Sequence, residues 1–299
     1  MSTERSGEKK LPHQFIGTKL VDRLVVSQII KEMPRFIQAI PVVFPDDFTT
    51  TYANKIHGET KEVVPVIVSS HTAHLDCLPL AGVAKTLTAM INRIGERRLQ
   101  GFIVPIAASM ETGNQGSIVK EGAERIGKIT AQQYNLQALS YARAKDKEKY
   151  DIPGNPQEFI RDLTGQARNG YGVAVFPEST MQAGRTKKHK LLGKTERFGM
   201  QEFKYMEAIA IIIRRTGKVP LYIPVGIDGG FRLESPDNNR PTLPYLGEIF
   251  LTHPHHTKLV SVRVGLPISH EEIGSADIND FLGKKVAALL PPEARGVYS

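Results

Sequence analysis

A single cysteine, Cys77, is the only thiol in a sequence of 299 residues, so no disulfide can form within the chain and a reducing compartment is expected. Residues Met1 to Lys10 are polar and charged and lack the apolar core of a secretory signal. No apolar run approaches the roughly 18 residues that a membrane-spanning helix needs, so the chain is not expected to cross a bilayer. Zinc-finger spacings and the aromatic-rich signature of RNA-binding sheets are missing, which argues against a nucleic-acid partner. Internal repeats and low-complexity tracts are absent as well.

What is present belongs to a folded domain. Hydrophobic residues make up 40% and charged residues 23% of the chain, and the length allows one large domain, with or without a small helical appendage. The formal net charge is +8 and the isoelectric point lies near 9.4. A basic surface of that size attracts phosphate, and without a nucleic-acid module the leading sources are anionic lipid and phosphorylated small substrates.

Residues 1–12 read as a solvated tail and 13–58 as an N-terminal helical segment. Between Gln14 and Ile40 the apolar residues Ile16, Leu20, Val21, Leu24, Val25, Ile29 and Ile30 approximate a helical stripe, with Lys19, Arg23 and Lys31 elsewhere on the wheel. Pro34 and Pro41 are expected to break this segment into pieces. Two readings follow: helices packed on the core, which is the commoner arrangement, or a basic amphipathic face resting on lipid headgroups.

Residues 59–299 read as an α/β domain. Strands are expected at Val63–Ser69, Gly101–Ala107, Gly172–Phe176, Val219–Ile227 and Leu259–Val264. Helices are expected at Leu78–Ile91, from Pro156 onward, at Phe203–Arg215 and at Asp277–Leu290, with 113–150 mostly helical inside a long insertion spanning 95–168. The alternation predicts a central, mostly parallel sheet flanked by helices, with N-terminal amphipathic helices before it.

Two polar clusters stand directly after predicted strands, where open α/β sheets gather their ligands. The first is His71-Thr72-Ala73-His74-Leu75-Asp76. A carboxylate five residues beyond a histidine, in a loop entering a helix, can accept one imidazole N–H and leave the other nitrogen as a base near neutral pH. The pair reads equally well as a turn and helix cap when taken alone. The second cluster is Phe176-Pro177-Glu178-Ser179-Thr180, followed by Arg185, Lys187, Lys188, Lys190, Lys194 and Arg197. Glu178, Ser179 and Thr180 are candidates for binding substrate hydroxyls, and Arg185 for holding a phosphate. The plain alternative is a turn trailed by a solvated basic loop. His71, His74 and Asp76, or His253, His255 and His256, offer nitrogen and oxygen donors, but no helical His-pair spacing accompanies them and no metal is expected. Cys77, beside Asp76, reads as a structural thiol because a neighbouring carboxylate disfavours the thiolate.

His-x4-Asp after one strand and Phe-Pro-Glu-x-Thr after a later one resemble the glycerolipid acyltransferase family, which includes glycerol-3-phosphate and lysophosphatidic acid acyltransferases. Val219–Ile227 is similar to the family's apolar Pro-Val strand, Val262–Ile268 to its late Gly-x-Pro-Ile strand, and Leu290–Tyr298 to an ending seen in some members. The resemblance spans roughly residues 60–92, 172–230 and 258–298. The chain departs from the pattern at Ser179, where the family usually has glycine, and at Met181, where it has arginine. The resemblance implies an O-acyltransferase that uses His71 as base and Asp76 as its partner. The donor would be an acyl-CoA or acyl-carrier-protein thioester, and the acceptor a hydroxyl of glycerol 3-phosphate or a lysophospholipid. No bound cofactor is implied beyond that co-substrate. With no spanning run, a charge of +8 and a basic amphipathic N-terminal stretch before a lipid-type site, the expected place is cytoplasmic, either peripheral on the inner face of a membrane or free of it. Two alternatives stay open: an acyl-thioester hydrolase, and a catalytically silent lipid-binding protein on the same fold.

Overall fold

Val63–Ser69 (β2) is β-branched except at Pro65 and Ser69, and both of its flanks are occupied by other strands, as such an apolar run requires. The computed structural model describes residues 15–71, 76–95, 98–107, 128–141, 156–178, 200–229 and 260–299. Around β2 the other strands are Val42–Val43 (β1), Gly101–Ala107 (β3), Leu136–Tyr141 (β4), Tyr171–Val175 (β5), Val219–Asp228 (β6), Ser261–Val264 (β7) and Ile268–Ser269 (β8). Among the described residues they form one sheet in the order β1-β7-β6-β2-β5-β3-β4, with β8 also paired to β6. The pairs β2/β5, β2/β6, β3/β5, β3/β4 and β1/β7 are parallel, whereas β6 meets β7 and β8 antiparallel. The chain is therefore α/β with a mostly parallel central sheet.

The described helices include Phe15–Ala39 (α1), Phe48–Gly58 (α2), Cys77–Ile94 (α3), Pro156–Arg168 (α4), Met206–Arg214 (α5), His270–Ile273 (α6) and Ile278–Ala287 (α7), and residues 128–134 are helical as well. Side-chain alternation along the strands divides them into two layers. Ile67 and Leu221, Ile223, Val225 and Ile227 face one way and meet Met33 and Phe36 of α1 and Ala84 and Leu87 of α3. Val64, Val66 and Val68, with Val173 and Val175, face the other way and meet Leu163 of α4, Ile209 and Ile213 of α5, and Leu282 and Val286 of α7. Gly172 on β5 lies opposite Phe102 on β3, and any Cβ there would fall 2.7 Å from both the Phe102 ring and the Pro65 carbonyl oxygen. The strands can close only because that position carries no side chain.

Several elements differ from the sequence reading. Pro34 does not break the first helix, which runs unbroken from Phe15 to Ala39. An interior proline costs about 3 kcal/mol, and the burial of Ile29, Met33, Phe36 and Ile37 around it outweighs that. Of the span 113–150, expected mostly helical, residues 128–134 are helical and Leu136–Tyr141 form strand β4, which pairs in parallel with β3 across six residues; the remainder lies outside the described residues. The last predicted strand is antiparallel to its neighbour β6, and β1 and β8, two residues each, were not foreseen. No described helix is long and apolar enough to cross a membrane.

Candidate active site

The parallel pairing of β2 with β5 brings the two polar clusters together. Val66 lies opposite Val173 and Val68 opposite Val175, an offset of 107 residues. The same offset, continued past the strand ends, sets His71 opposite Glu178. The backbone N–H of His71 donates to Glu178 Oε1 at 2.7 Å. On the other flank, Ser70 N–H donates to the Val225 carbonyl at 3.2 Å, and Ser70 Oγ bridges to the N–H (2.8 Å) and C=O (3.0 Å) of Ile227. The carboxyl end of β2 is thus held from both sides just before the histidine.

Alternation sets the direction of the side chains. Ile67 and Ala174 belong to the layer covered by α3, and Phe176 packs against that same layer. The Phe176 ring stacks on the His71 imidazole with centroids 4.5 Å apart and planes at 27°. Asp76 stands at the N-cap of α3, and its Oδ2 lies 3.2 Å from His71 Nδ1. An ionised carboxylate is acceptor-only, so in the neutral ring Nδ1 carries the proton of this bond and Nε2 keeps its lone pair. Asp76 is fully buried, whereas the His71 side chain keeps 18% of its surface exposed. The arrangement is a partly exposed imidazole held against a buried carboxylate at the carboxyl end of a central strand. The described helices that next follow β2 and β5 in the chain, α3 and α5, lie on opposite faces of the sheet, as at the strand ends where α/β sheets gather ligands.

Of the residues singled out in the sequence, the fold brings His71, Asp76 and Glu178 together. Glu178, expected to bind substrate hydroxyls, is 1% exposed, and its two oxygens accept from backbone: Oε1 from His71 N–H and Oε2 from Gln201 N–H at 2.9 Å. Its observed contacts are those of a clamp between two chain segments. Ser179, Thr180 and Arg185 lie outside the described residues, as do His74, His253, His255 and His256. Among the described residues no three or more His, Cys, Asp or Glu side chains are grouped as metal ligands. Cys77 is partly buried against the α3 side of the core.

Sequence reasoning assigned no role to Phe176 or Ser70. Phe176 could have been found from alternation, since it shares a parity with Ala174 on the face that α3 covers. For Ser70 no signal existed, because its partner Ile227 is 157 residues away. A scan against family models finds none that matches the chain, and a search of curated proteins returns no match.

Proposed function

We propose that the protein is an O-acyltransferase of the glycerolipid type, moving a fatty acyl group from an acyl-CoA or acyl-carrier-protein thioester to a hydroxyl of glycerol 3-phosphate or a lysophospholipid. The observation that carries the reading is the His71–Asp76 pair at the end of β2, set directly against Phe176-Pro177-Glu178 at the end of β5. In this mechanism the acceptor hydroxyl approaches His71 Nε2, which removes its proton as the oxygen attacks the thioester carbon. Asp76 holds the ring and stabilises the imidazolium. The tetrahedral intermediate collapses by breaking the C–S bond. The thiolate leaves without strong acid assistance, because thiol pKa values lie near about 8.5. The proton on His71 then returns to solvent or to the departing sulfur. The acceptor supplies the nucleophile, so no acyl-enzyme forms.

Ser179, Thr180 and Arg185 complete the acceptor site in this reading, with Arg185 on the phosphate. A thiol-release assay of acyl-CoA against glycerol 3-phosphate, lysophosphatidic acid and other lysolipids tests the proposal. Release that depends on one of these acceptors supports it. Release that is indifferent to all of them indicates a hydrolase.

We further propose that the protein binds anionic membrane surfaces through a basic, amphipathic face of its N-terminal segment. The charge of +8 and the pattern of Lys19 and Arg23 among apolar residues support this, as does Leu24, which is 63% exposed on α1. Basic residues contribute about 1 kcal/mol each near such a surface, an attraction that salt screens. Sedimentation with anionic vesicles should be lost at high salt and reduced by charge reversal at Lys19 and Arg23. Equal indifference to anionic and neutral vesicles would return the whole helix to the core.

A further inference from the structure

The Glu178 clamp reaches further than His71. Its second oxygen holds the backbone of Gln201, and the segment around Gln201 is itself tied down by Pro291–Ser299. Met200 N–H donates to the Ala294 carbonyl at 2.9 Å, and the Met200 carbonyl accepts from Val297 N–H at 3.1 Å. Phe203 N–H donates to the Tyr298 hydroxyl at 2.8 Å, and the two rings meet edge to face with centroids 5.9 Å apart. Lys204 N–H closes the loop onto the Pro177 carbonyl at 3.0 Å, one residue before Glu178.

The seat for Tyr298 is built into α7. A Cβ added at Gly283 would fall 2.1 Å from Tyr298 Cζ and 2.3 Å from its hydroxyl, so the ring lies directly on helix backbone. The same helix supplies Asn279 Oδ1, which accepts from Met206 N–H at 3.1 Å. That contact starts α5 where Tyr205, at φ 70°, makes no side-chain cap.

We infer that Pro291–Ser299 is a strap that positions the catalytic histidine, with Tyr298 as its positioning residue acting through Phe203, Gln201 and Glu178. The assignment rests on the general-base role proposed for His71. One hydrogen bond ties the Tyr298 hydroxyl to Phe203, two residues along the backbone from Gln201, whose N–H reaches Glu178 and through it the backbone N–H of His71. A strand end that shifts by about 1 Å can cost about 10²-fold in rate, since the base must meet the acceptor hydroxyl within hydrogen-bond reach. Tyr298 touches neither the imidazole nor the Asp76 carboxylate in this scheme.

The test uses the full chain and two readouts. Tyr298→Phe keeps the ring and deletes the acceptor for Phe203 N–H. It should lower kcat about 10- to 100-fold while donor and acceptor KM values stay close to wild type. In protein labelled with nitrogen-15 histidine, the hydrogen-bonded Nδ1 proton of His71 should give a low-field signal, assigned by its loss in His71→Ala, that Tyr298→Phe broadens. Gly283→Ala, which displaces the ring, should reproduce both effects. In a Glu178→Gln background Tyr298→Phe should add little, because that link is already cut. An unchanged kcat and His71 signal in Tyr298→Phe, or full additivity with Glu178→Gln, overturns the strap. A wild-type chain without acyl transfer would sink the enzymatic reading instead, and the His71 signal would still decide the strap.

Discussion

Replacing Asp76 by asparagine removes a charge and leaves the shape of the side chain almost unchanged. Asp76 is fully buried and meets His71 Nδ1 at 3.2 Å, so the substituted amide stays beside the ring. If its NH2 turns to Nδ1, the ring must take up its proton on Nε2, and the nitrogen facing the acceptor is no longer a base. If its carbonyl turns there instead, the tautomer survives but the imidazolium formed during attack loses its counter-charge. Orientation and general-base effects of this kind are worth about 10²–10⁴ in rate, or about 2.7–5.4 kcal/mol of barrier at about 1.36 kcal/mol per tenfold. Asparagine also suits a helix N-cap, so α3 should keep its start and circular dichroism and thermal melting should change little. Steady-state thiol release with saturating acceptor then reads the chemistry alone. A well-folded Asp76→Asn protein within twofold of wild-type kcat would show that the His71–Asp76 bond has no part in turnover.

Stability makes further demands that are independent of the reaction. Ser70→Ala deprives the buried Ile227 N–H of an acceptor 2.8 Å away and should cost about 1–3 kcal/mol, read as a lower urea midpoint at unchanged slope. Gly172→Ala drives a methyl group into Phe102 and the Pro65 carbonyl and should cost at least about 1–3 kcal/mol in the same experiment; a stabilised variant would contradict the close approach of β3 and β2. His270 is held below its ordinary pKa of 6.5, first by burial and then by Arg214, which lies 3.1 Å from its Nε2. The unfolded chain therefore binds a proton that the folded chain refuses. Stability should be complete above about pH 6.5 and decline as the pH falls from there toward the lowered folded value. His270→Gln should flatten that part of the urea-midpoint profile, and a profile identical to wild type would mean that another group is responsible.

The sheet was legible where strands are buried on both sides. Val63–Ser69 and Gly101–Ala107 are apolar runs with β-branched cores, and their sequence limits coincide with their structural ones. Leu136–Tyr141 was not legible, because Gln137 and Ser140 interrupt its apolar pattern at the end of the sheet order, where, among the described residues, β4 pairs with β3 alone. Pro34 misled because a local rule was applied to a helix whose stability comes from tertiary burial on either side of the proline. His71 and Asp76 were readable because their pairing is local, five residues apart in the chain. The backbone partners of Glu178 were not, since they are set by strand register over 107 residues and by a segment 23 residues onward. Register of that kind emerges only when the sheet assembles.

The most direct test of the account is turnover by His71→Ala with the acceptor that supports the fastest thiol release in wild type. The substitution removes the base while leaving Asp76 at the start of α3, Glu178 on the backbone N–H of residue 71, and the clamp at Ser70 in place. The account predicts a folded protein whose acceptor-dependent thiol release is reduced by about 10²–10⁴ or more. A folded His71→Ala protein that still turns over at close to the wild-type rate would contradict it.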